Sequence, residues 1–357
     1  MISVVIVNYY SARQTERAIK SVLQSGVERE IIVVDNTCTT GEREVLDEMR
    51  RSYGFSLVCN DKNLGFARAC NQAYARSKGK YIFLLNPDAF VVPSCLGILR
   101  EFLENTPPAG SASPQVYWDD EMRYFFPHYT LPSPSMDLCV RLSSLSKTFR
   151  TIYSLSERRR NLELWKSSTP VRVKNLHGGV VMVRRSAAEQ SGGLFDERFF
   201  LFYEDTDLFF RLRKRGYSLY TIPEAKAVHN YSHSEKKLEM MSRTTRLYFE
   251  KHFSRNLLLR ISSFLPEGSL EGPYHDYGIW NDPPLFPVPK AFRDGYLFEW
   301  SPSPLFIPSI GCFGKGGEFA FSRQVWDLLD DGRYFNRFSP PSKRIGKYTT
   351  GYLEKRV

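Results

Sequence analysis

The sequence predicts an α/β protein built on a doubly wound, mostly parallel β-sheet that is flanked by helices. Through the first hundred residues, short runs of β-branched residues alternate with segments of helical spacing. The runs are continuously apolar, which is typical of parallel strands buried on both faces. Polar residues follow the runs directly, at the sheet edge where ligands of such folds bind. Together these observations favour a strand–helix repeat with a cleft along one edge.

The strands and helices of this repeat can be assigned in order along the chain. The predicted strands are Ser3–Val7, Ile31–Val34, Phe55–Cys59 and Tyr81–Leu85. Apolar residues recur at helical spacing from Ala12 to Leu23, around Leu46 and Met49, and from Gly65 to Ser77. Each parallel connection therefore has a helix of its own, as a doubly wound sheet requires.

Three polar residues fall at the carboxyl ends of predicted strands: Asn8, Asp35 and Asp88. A single aspartate after a strand is usually a turn or cap residue. Three polar termini on neighbouring strands favour a nucleotide cleft, because ligands of doubly wound sheets bind at this edge.

The stretch from Phe199 to Gly216 carries three acids, Glu204, Asp205 and Asp207, in a run dense in Phe, Leu and Tyr. Acids in apolar surroundings need a partner, a metal ion or a chemical task. Basic residues and Gly216 predict a helix C-terminus, which places the acids at the N-terminus of that helix. On this segment alone, a catalytic role and simple helix capping remain equally open.

Residues 133–168 interrupt the repeat with apolar residues interleaved with basic ones, which predicts one or two basic amphipathic helices. Such an insertion contacts either an anionic membrane surface or a lipid acceptor. The alternative is an ordinary packed insertion with a solvated basic face. The basic residues are Arg141, Lys147, Arg150, Arg158, Arg159 and Arg160.

The composition changes after about residue 260, where prolines alternate with aromatic residues and helical periodicity is poor. We expect a main domain over 1–260 and a small irregular or β-rich C-terminal module over 261–357, held by aromatic burial. The alternative is a tail that wraps the main domain. The sequence assigns this segment no role and predicts no oligomeric state.

The 357 residues are 42% hydrophobic and 25% charged, as in a soluble globular protein. No apolar run reaches the length of a membrane-spanning helix. Met1 opens directly into a strand-like run rather than a signal peptide. The six cysteines are scattered without metal-ligand spacing and are expected to be reduced thiols. We therefore expect a cytoplasmic protein, with the basic insertion bringing it to the inner face of the membrane if that contact exists.

The formal net charge of +10 is compatible with nucleic acid, anionic lipid or an anionic substrate. No zinc-ligand spacing or aromatic RNA-binding signature is present, so we expect no nucleic-acid partner. A nucleotidyltransferase would need a Gly-rich basic phosphate loop near the first strand, and residues 8–11 offer none. A non-catalytic nucleic-acid or glycan-binding protein remains the alternative of another class.

Five stretches give the chain a family resemblance. They are SVVIVNYY at 3–10, VVDN at 33–36, NLGFARACN at 63–71, LLNPDA at 84–89, and HGGVVMVRRSAAEQSGGLFDERFFLFYEDTDLFFRLRKRGY at 177–217. Over roughly residues 1 to 252 the chain resembles glycosyltransferase family 2, especially its rhamnosyltransferase-like branch. The last stretch is the most specific, because its order of glycines, aromatics and acids is hard to obtain by chance.

The resemblance implies a glycosyltransferase-A fold and transfer, with inversion, of a sugar from a nucleotide-diphosphate donor. Rhamnose from its thymidine diphosphate donor (dTDP-rhamnose) is the favoured sugar, and a UDP-sugar is the alternative within the family. The acceptor would be a surface polysaccharide or a lipid-linked glycan. A divalent metal ion, Mn²⁺ or Mg²⁺, is the implied cofactor.

The resemblance also assigns roles to individual positions. Asp205 matches the catalytic base, and Asp88 and His229 match the metal ligands, with His233 as a rival to His229. From the residues themselves we expect a supporting or acceptor-side role for five positions, with simple packing as the alternative for the two glycines: His177, Gly178, Gly179, Glu204 and Asp207. Residues matched to the nucleotide-sugar site are Asn8, Tyr10, Asp35, Asn63, Gly65, Arg68, Asn86 and Asp88.

Physical chemistry supports this division of roles. A diphosphate leaving group develops charge that a divalent cation neutralises. The acceptor hydroxyl is a weak nucleophile, and a carboxylate base typically contributes ~10²–10⁴-fold. The chain departs from the fuller acidic motif of the family, since Asn86 and Pro87 precede the single acid Asp88.

Overall fold

The computed structural model contains a nine-stranded, a five-stranded and a two-stranded sheet, surrounded by helices. It describes residues 1–37, 39–232, 235–266, 268–270, 272–342 and 348–356, with the backbone alone at 235–238.

The N-terminal part follows the predicted strand–helix repeat. Its elements are β1 (Ile2–Asn8), α1 (Ala12–Leu23), β2 (Arg29–Asp35), α2 (Thr40–Tyr53), β3 (Ser56–Cys59), α3 (Phe66–Arg76), β4 (Tyr81–Leu85), β5 (Ala89–Val91), α4 (Cys95–Asn105) and β6 (Ala109–Tyr117). The four predicted strands are β1 to β4, and Leu46 and Met49 are the buried residues of α2.

The middle part is mainly helical. Its elements are α5 (Pro134–Leu145), α6 (Lys147–Trp165), β7 (Val171–Val173), β8 (Val180–Arg184), α7 (Arg185–Gln190), α8 (Glu204–Lys214), β9 (Ser218–His229), α9 (Glu235–Phe253) and α10 (Leu257–Phe264). None of the helices in the described residues has the length of apolar sequence that crossing a bilayer would require.

The C-terminal part is β-rich. Its elements are β10 (His275–Trp280), β11 (Leu285–Pro287), a 3₁₀ turn (Lys290–Phe292), β12 (Tyr296–Ser301), β13 (Ile310–Gly314), β14 (Glu318–Ala320), α11 (Arg323–Asp327), β15 (Gly332–Ser339) and β16 (Thr349–Lys355).

The large sheet has the strand order β3-β2-β1-β4-β8-β6-β9-β5, with β7 paired to β9. The first four strands of this order are all parallel, which confirms the predicted fold class. Strand β8 then runs antiparallel to β4 and β6, so the second half of the sheet is mixed. Asn8 of β1 lies in register with Asp35 of β2, at the carboxyl edge.

The five-stranded sheet has the order β10-β16-β15-β12-β13 and confirms the β-rich expectation for the C-terminal segment. Aromatic packing holds it: the ring centroids of Phe298 and Phe319 are 4.0 Å apart, and those of Trp300 and Tyr334 are 5.4 Å apart. Its apolar residues belong to the same buried cluster as those of β1, β4 and α4.

A buried ionic cluster joins helix α6 to this sheet. The Glu299 carboxylate accepts from Arg158 Nε at 3.2 Å and from Arg337 Nη2 at 2.7 Å, and all three side chains are buried. Arg150 donates to the backbone oxygens of Leu270 and Ser269. Two of the six basic residues that the sequence places on the amphipathic insertion therefore hold internal carboxylates and carbonyls, and the solvated basic face is smaller than expected.

Candidate active site

The carboxyl edge of β1 and β2 carries a buried polar network centred on Asn8. The Asn8 amide donates to Asp35 Oδ1 at 3.1 Å and to Thr37 Oγ1 at 3.0 Å, while its oxygen accepts from Thr15. Asp35 Oδ1 also accepts from the Thr37 N–H at 3.0 Å, but Asp35 Oδ2 is buried without a partner. Asn8 thus orients Asp35, and Asp35 Oδ2 is the atom left for a ligand.

Two exposed aromatic rings follow β1. Tyr10 is 57% exposed and Tyr9 is 52% exposed, and their centroids are 4.9 Å apart in an edge-on arrangement. Tyr10 has a positive φ of 52°, and its N–H donates to Thr37 Oγ1 at 3.2 Å. A left-handed non-glycine residue that presents a large ring to solvent suits stacking on a flat ligand.

The loop before α3 brings Asn63 and Gly65 to the same edge. Asn63 Oδ1 accepts from the Gly65 N–H at 2.9 Å and from Asn36 Nδ2 at 3.1 Å. Gly65 has a φ of +85°, and a Cβ there would lie 2.5 Å from the Phe200 oxygen. Only glycine allows the segment before α8 to pack this closely on the loop. Arg68 is exposed, with Nε 3.4 Å from Glu197 Oε2.

Strand pairing brings Asp88 and His229 together across the sheet. Ala89 of β5 pairs with His229 of β9, and His229 Nε2 lies 3.0 Å from Asp88 Oδ1. The His229 ring is fully buried against Phe126, whereas the Asp88 side chain is 23% exposed. His229 Nδ1 is buried without a partner. The predicted metal pair is therefore adjacent, while its rival His233 lies outside the described residues.

The spacing of this pair fits a divalent ion. Two donor atoms about 2.1 Å from a metal and at a right angle lie about 3.0 Å apart. In the part of the chain that the structure describes, no three His, Cys, Asp or Glu side chains group closely enough to hold an ion alone. An ion held by Asp88 and His229 would complete its coordination with phosphate oxygens or water.

Two consecutive glycines lie between this pair and the first turn of α8. The Gly178 N–H donates to Asp205 Oδ2 at 2.8 Å, and a Cβ on Gly178 would lie 2.7 Å from that oxygen. A Cβ on Gly179 would lie 2.9 Å from both His229 Cε1 and Asn86 Nδ2. The Asn86 N–H donates to the Gly179 oxygen at 2.8 Å. The glycines thus let Asp205, Asn86 and His229 approach one short turn.

His177 begins that turn and lies beside His229. Its Nδ1 accepts from the Gly179 N–H at 3.1 Å, and its ring centroid is 4.7 Å from those of Tyr129 and His229. Burial, with the charge of His229 second, holds the pKa of His177 well below its usual range. With Nδ1 accepting this bond, Nε2 is the ring nitrogen placed to carry a proton.

Asp205 and Glu204 form a carboxyl pair at the start of α8, and the pKa of each is raised. Asp205 Oδ1 accepts from the Thr206 N–H at 2.6 Å, and burial raises the pKa of Asp205 despite this bond and the one from Gly178. Glu204 is buried, with Oε2 unpartnered among the described residues, and burial and the Asp205 charge raise the pKa of Glu204 well above its usual range. The two backbone donors favour the charged form of Asp205.

The backbone before α8 is in an uncommon conformation. Phe202 and Tyr203 have φ values of 69° and 67°, in the left-handed region that bulky residues rarely adopt. Such residues cluster at functional sites, where surrounding structure holds them in place. Here they immediately precede Glu204 and set the direction in which the first turn of α8 points.

Asp207 faces away from the glycine turn. Its Oδ2 accepts from Arg211 at 2.8 Å, and its Oδ1 accepts from Lys251 at 2.6 Å and His252 at 2.7 Å. Burial alone would raise the pKa of Asp207, but these three partners lower it. These contacts hold α8 against α9, and Asp207 supports the site through that packing.

The sequence-based assignment missed the aromatic segment that covers the histidines. Phe126 stacks on His229, with centroids 5.8 Å apart and rings at 13°, and Tyr129 contacts His177. The signal available was the run Phe125-Phe126-Pro127-His128-Tyr129, which follows β6 and ends its periodicity.

Comparison with known proteins identifies the family of the chain. The family model "Glycosyl transferase family 2" matches residues 3–191. The chain is 29% identical over 252 residues to an N-acetylglucosaminyl-diphospho-decaprenol L-rhamnosyltransferase of Mycobacterium tuberculosis (strain ATCC 25618 / H37Rv), covering 66% of this chain and 77% of that protein.

Solved structures of two glycosyltransferases are similar at low identity. A mannosyltransferase PcManGT from Pyrobaculum calidifontis, in complex with GDP-Man and Mn²⁺, has 15% identity and a TM-score of 0.45, covering 73% of this chain and 72% of that one. GalNAc-T7 with UDP, GalNAc and Mn²⁺ has 16% identity and a TM-score of 0.49, covering 76% of this chain and 52% of that one. Since the family model spans more than half of the sequence, the chain belongs to glycosyltransferase family 2, whose members transfer sugars from nucleotide-sugar donors.

Proposed function

We propose that this protein is an inverting enzyme of the glycosyltransferase-A type that moves a sugar to a hydroxyl of a glycan acceptor, with Asp205 as general base. The observation that carries the proposal is the Gly178–Gly179 turn. One glycine donates to the Asp205 carboxylate at 2.8 Å, and the next contacts the His229 side of the Asp88–His229 pair. A base on one side of the turn and, on the other, a pair that would hold a charge-neutralising metal ion suit direct displacement.

The donor nucleotide would bind along the carboxyl edge of the parallel strands. Tyr10 offers an exposed ring for the base, and Asp35 Oδ2 offers a buried acceptor for a ribose hydroxyl or a base N–H. Asn63 and Gly65 shape the loop beside them, and the exposed Arg68 in the first turn of α3 would attract the diphosphate charge. Asn86 lies between this region and the glycine turn.

Asp88 and His229 would hold the divalent ion, Mn²⁺ or Mg²⁺. When bound, such an ion neutralises the charge that develops on the departing nucleotide diphosphate. Imidazole together with carboxylate favours manganese over calcium. Burial disfavours a positive charge on His177 beside this pair.

Asp205 would remove the proton from the acceptor hydroxyl as that oxygen attacks the anomeric carbon. A general base works best when its pKa lies nearer the operating pH, and burial shifts Asp205 in that direction. The raised pKa of the neighbouring Glu204 disfavours a second negative charge beside Asp205. We assign about 10²–10⁴-fold of the rate to this proton transfer.

The favoured donor is dTDP-rhamnose and the favoured acceptor a lipid-linked or surface polysaccharide glycan. The mycobacterial relative, an N-acetylglucosaminyl-diphospho-decaprenol L-rhamnosyltransferase, supports rhamnose as the sugar and a lipid-linked glycan as the acceptor. A UDP-sugar is the alternative donor. Thermal stabilisation by a panel of nucleotide sugars with Mn²⁺ present distinguishes them, because the true donor gives the largest rise in Tm.

We infer that the membrane contact, if the acceptor is a lipid, is made by α10 rather than by the 133–168 insertion. Phe264 is 86% exposed and Leu257 is 67% exposed, with Ile261 between them. Arg255 and Arg260 flank this apolar face, and no acid occurs from Lys251 to Pro266. Exposed apolar residues with basic neighbours suit the surface of an anionic bilayer.

The proposal is tested by Asp205→Asn, which keeps the shape of the side chain and removes its basicity. We expect transfer to fall by at least about 10²-fold while the donor binds with unchanged affinity. Asp61→Asn, a change at a fully exposed aspartate, is the matched control and should leave transfer unchanged. Turnover of Asp205→Asn at the wild-type rate would remove Asp205 from the mechanism.

A further inference from the structure

A cavity of about 480 Å³ lies between helix α6, strand β7 and the end of α8. This volume is in the range of small-molecule binding sites. The cavity adjoins the candidate active site through the neighbours of His128 and Lys174. His128 lines it, and the ring of the next residue, Tyr129, is 4.7 Å from that of His177. Lys174, which also lines it, directly precedes the Asn175–His177 segment.

The cavity has an excess of uncompensated positive charge. Arg172, Lys174 and Arg213 line it, and none of the three has a carboxylate partner among the residues that the structure describes. The two acids in its wall are already engaged: Glu157 binds Arg160 and His128, and Glu163 lies 3.4 Å from Arg159. A ligand entering the cavity would therefore meet free cations and neutralised carboxylates.

A buried hydroxyl also lacks a partner in this wall. Tyr153 of α6 is buried, and its Oη makes no hydrogen bond to any residue that the structure describes. A buried hydroxyl left unpaired costs about 1–3 kcal/mol, so such groups in native structures usually await a ligand or water. Tyr153 lines the same cavity as the three cations. An anionic oxygen is the group that would satisfy the hydroxyl and the cations together.

We propose that this cavity binds a phosphate or diphosphate group, which on the proposed function belongs to the acceptor. Guanidinium forks of Arg172 and Arg213 match phosphate oxygens in geometry, and Lys174 adds a compact charge. The position next to His177 and Asn175 would present the acceptor's sugar hydroxyl toward Asp205. The phosphate group could come from a lipid headgroup or from a soluble phosphorylated molecule, since both carry the same chemistry.

The test is calorimetric titration of the full chain with inorganic pyrophosphate, in EDTA and without any donor. We expect binding that weakens about tenfold or more in an Arg172→Ala/Lys174→Ala double variant, because hydrogen bonds to charged groups are lost. Tyr153→Phe should weaken binding about two- to tenfold while leaving the ring in place. Lys214→Ala is the matched control, since Lys214 adjoins Arg213 on α8 but does not line the cavity.

Vesicles distinguish the two sources of the phosphate. Displacement of pyrophosphate by phosphatidic acid vesicles but not by phosphatidylcholine vesicles assigns the cavity to a lipid headgroup, and no displacement assigns it to a soluble phosphate. Asp88→Asn should leave the pyrophosphate affinity unchanged, which separates this cavity from the donor site. Equal affinities in the wild type and the double variant, or no pyrophosphate binding, would overturn the proposal. Neither result depends on turnover, so failure of the proposed function would be seen separately, in Asp205→Asn.

Discussion

The glycine turn makes a sharp prediction, because adding one methyl group at Gly178 directly perturbs the proposed base. Gly178 has an ordinary backbone φ, so alanine there is not strained by the backbone itself. Its new Cβ would lie 2.6 Å from Asp205 Cβ and 2.7 Å from Asp205 Oδ2. Carbon atoms pack at about 3.5 Å or more, so the Asp205 side chain or the turn must move by about 0.9 Å.

A displacement of this size is expected to affect the rate more than the fold. Misplacing a catalytic group by about 1 Å can cost 10²-fold in rate. We therefore expect kcat of Gly178→Ala to fall about 10²-fold, with the KM for the donor nearly unchanged because the nucleotide edge is untouched. The matched control is Gly41→Ala in α2, where a Cβ meets nothing within 4 Å, so neither kcat nor KM should change.

The assay is steady-state transfer, combined with a double-mutant comparison. If Gly178→Ala acts only by displacing Asp205, then adding it to Asp205→Asn should cost little more, since the base is already lost. Thermal unfolding of each variant shows whether the fold is retained. Wild-type kcat in a folded Gly178→Ala, or fully additive losses in the double variant, would refute the link between the turn and the base.

Four further outcomes follow from the site and its supports. EDTA should suppress transfer and Mn²⁺ or Mg²⁺ restore it, and full activity in the chelator would exclude Asp88 and His229 as metal ligands. Burial raises the pKa of Asp205, and the base acts only when deprotonated, so kcat/KM should fall as pH is lowered through that raised pKa; a profile flat toward acid pH would contradict this. Glu299→Gln removes the carboxylate between two buried arginines and should lower stability by about 3–5 kcal/mol, measured by denaturant unfolding against exposed Glu28→Gln. Phe264→Ser should reduce co-sedimentation with anionic liposomes at low salt, and undiminished co-sedimentation would remove α10 as the contact.

The first half of the sheet could be predicted from the sequence because its strands are runs of β-branched residues. Strand β6 could not be predicted, because Ala109–Tyr117 contains a glycine, two serines and a proline, a composition typical of loops. In the structure its serines satisfy their hydroxyls on neighbouring backbone: Ser111 donates to the Met182 oxygen and Ser113 to the Val180 oxygen. A strand stabilised by such long-range bonds leaves no local pattern to detect.

The candidate site could be predicted only where the order of motifs along the sequence indicated the residues, since their spatial proximity cannot be read locally. Asp88 and His229 are 141 residues apart, and nothing local joins them. The pairing of β5 with β9 brings the two residues together, and β5 is only three residues long. Likewise, Arg158 is withdrawn from the solvated basic face because it pairs with the buried Glu299, which lies on a strand far along the chain. The size of the basic face therefore could not be predicted from the insertion itself.

The three acids of the first turn of α8 show how one short motif supports different tasks. Successive residues of a helix point about 100° apart, so Asp205 is turned away from both Glu204 and Asp207. Glu204 is buried near the Cys70 thiol, and burial raises its pKa well above the usual range. Asp205 accepts from the Gly178 N–H, and Asp207 faces the cations of α9. Of the three acids, Asp205 is the one that contacts the glycine turn beside His229, and that is why we assign the base to it rather than to the motif as a whole.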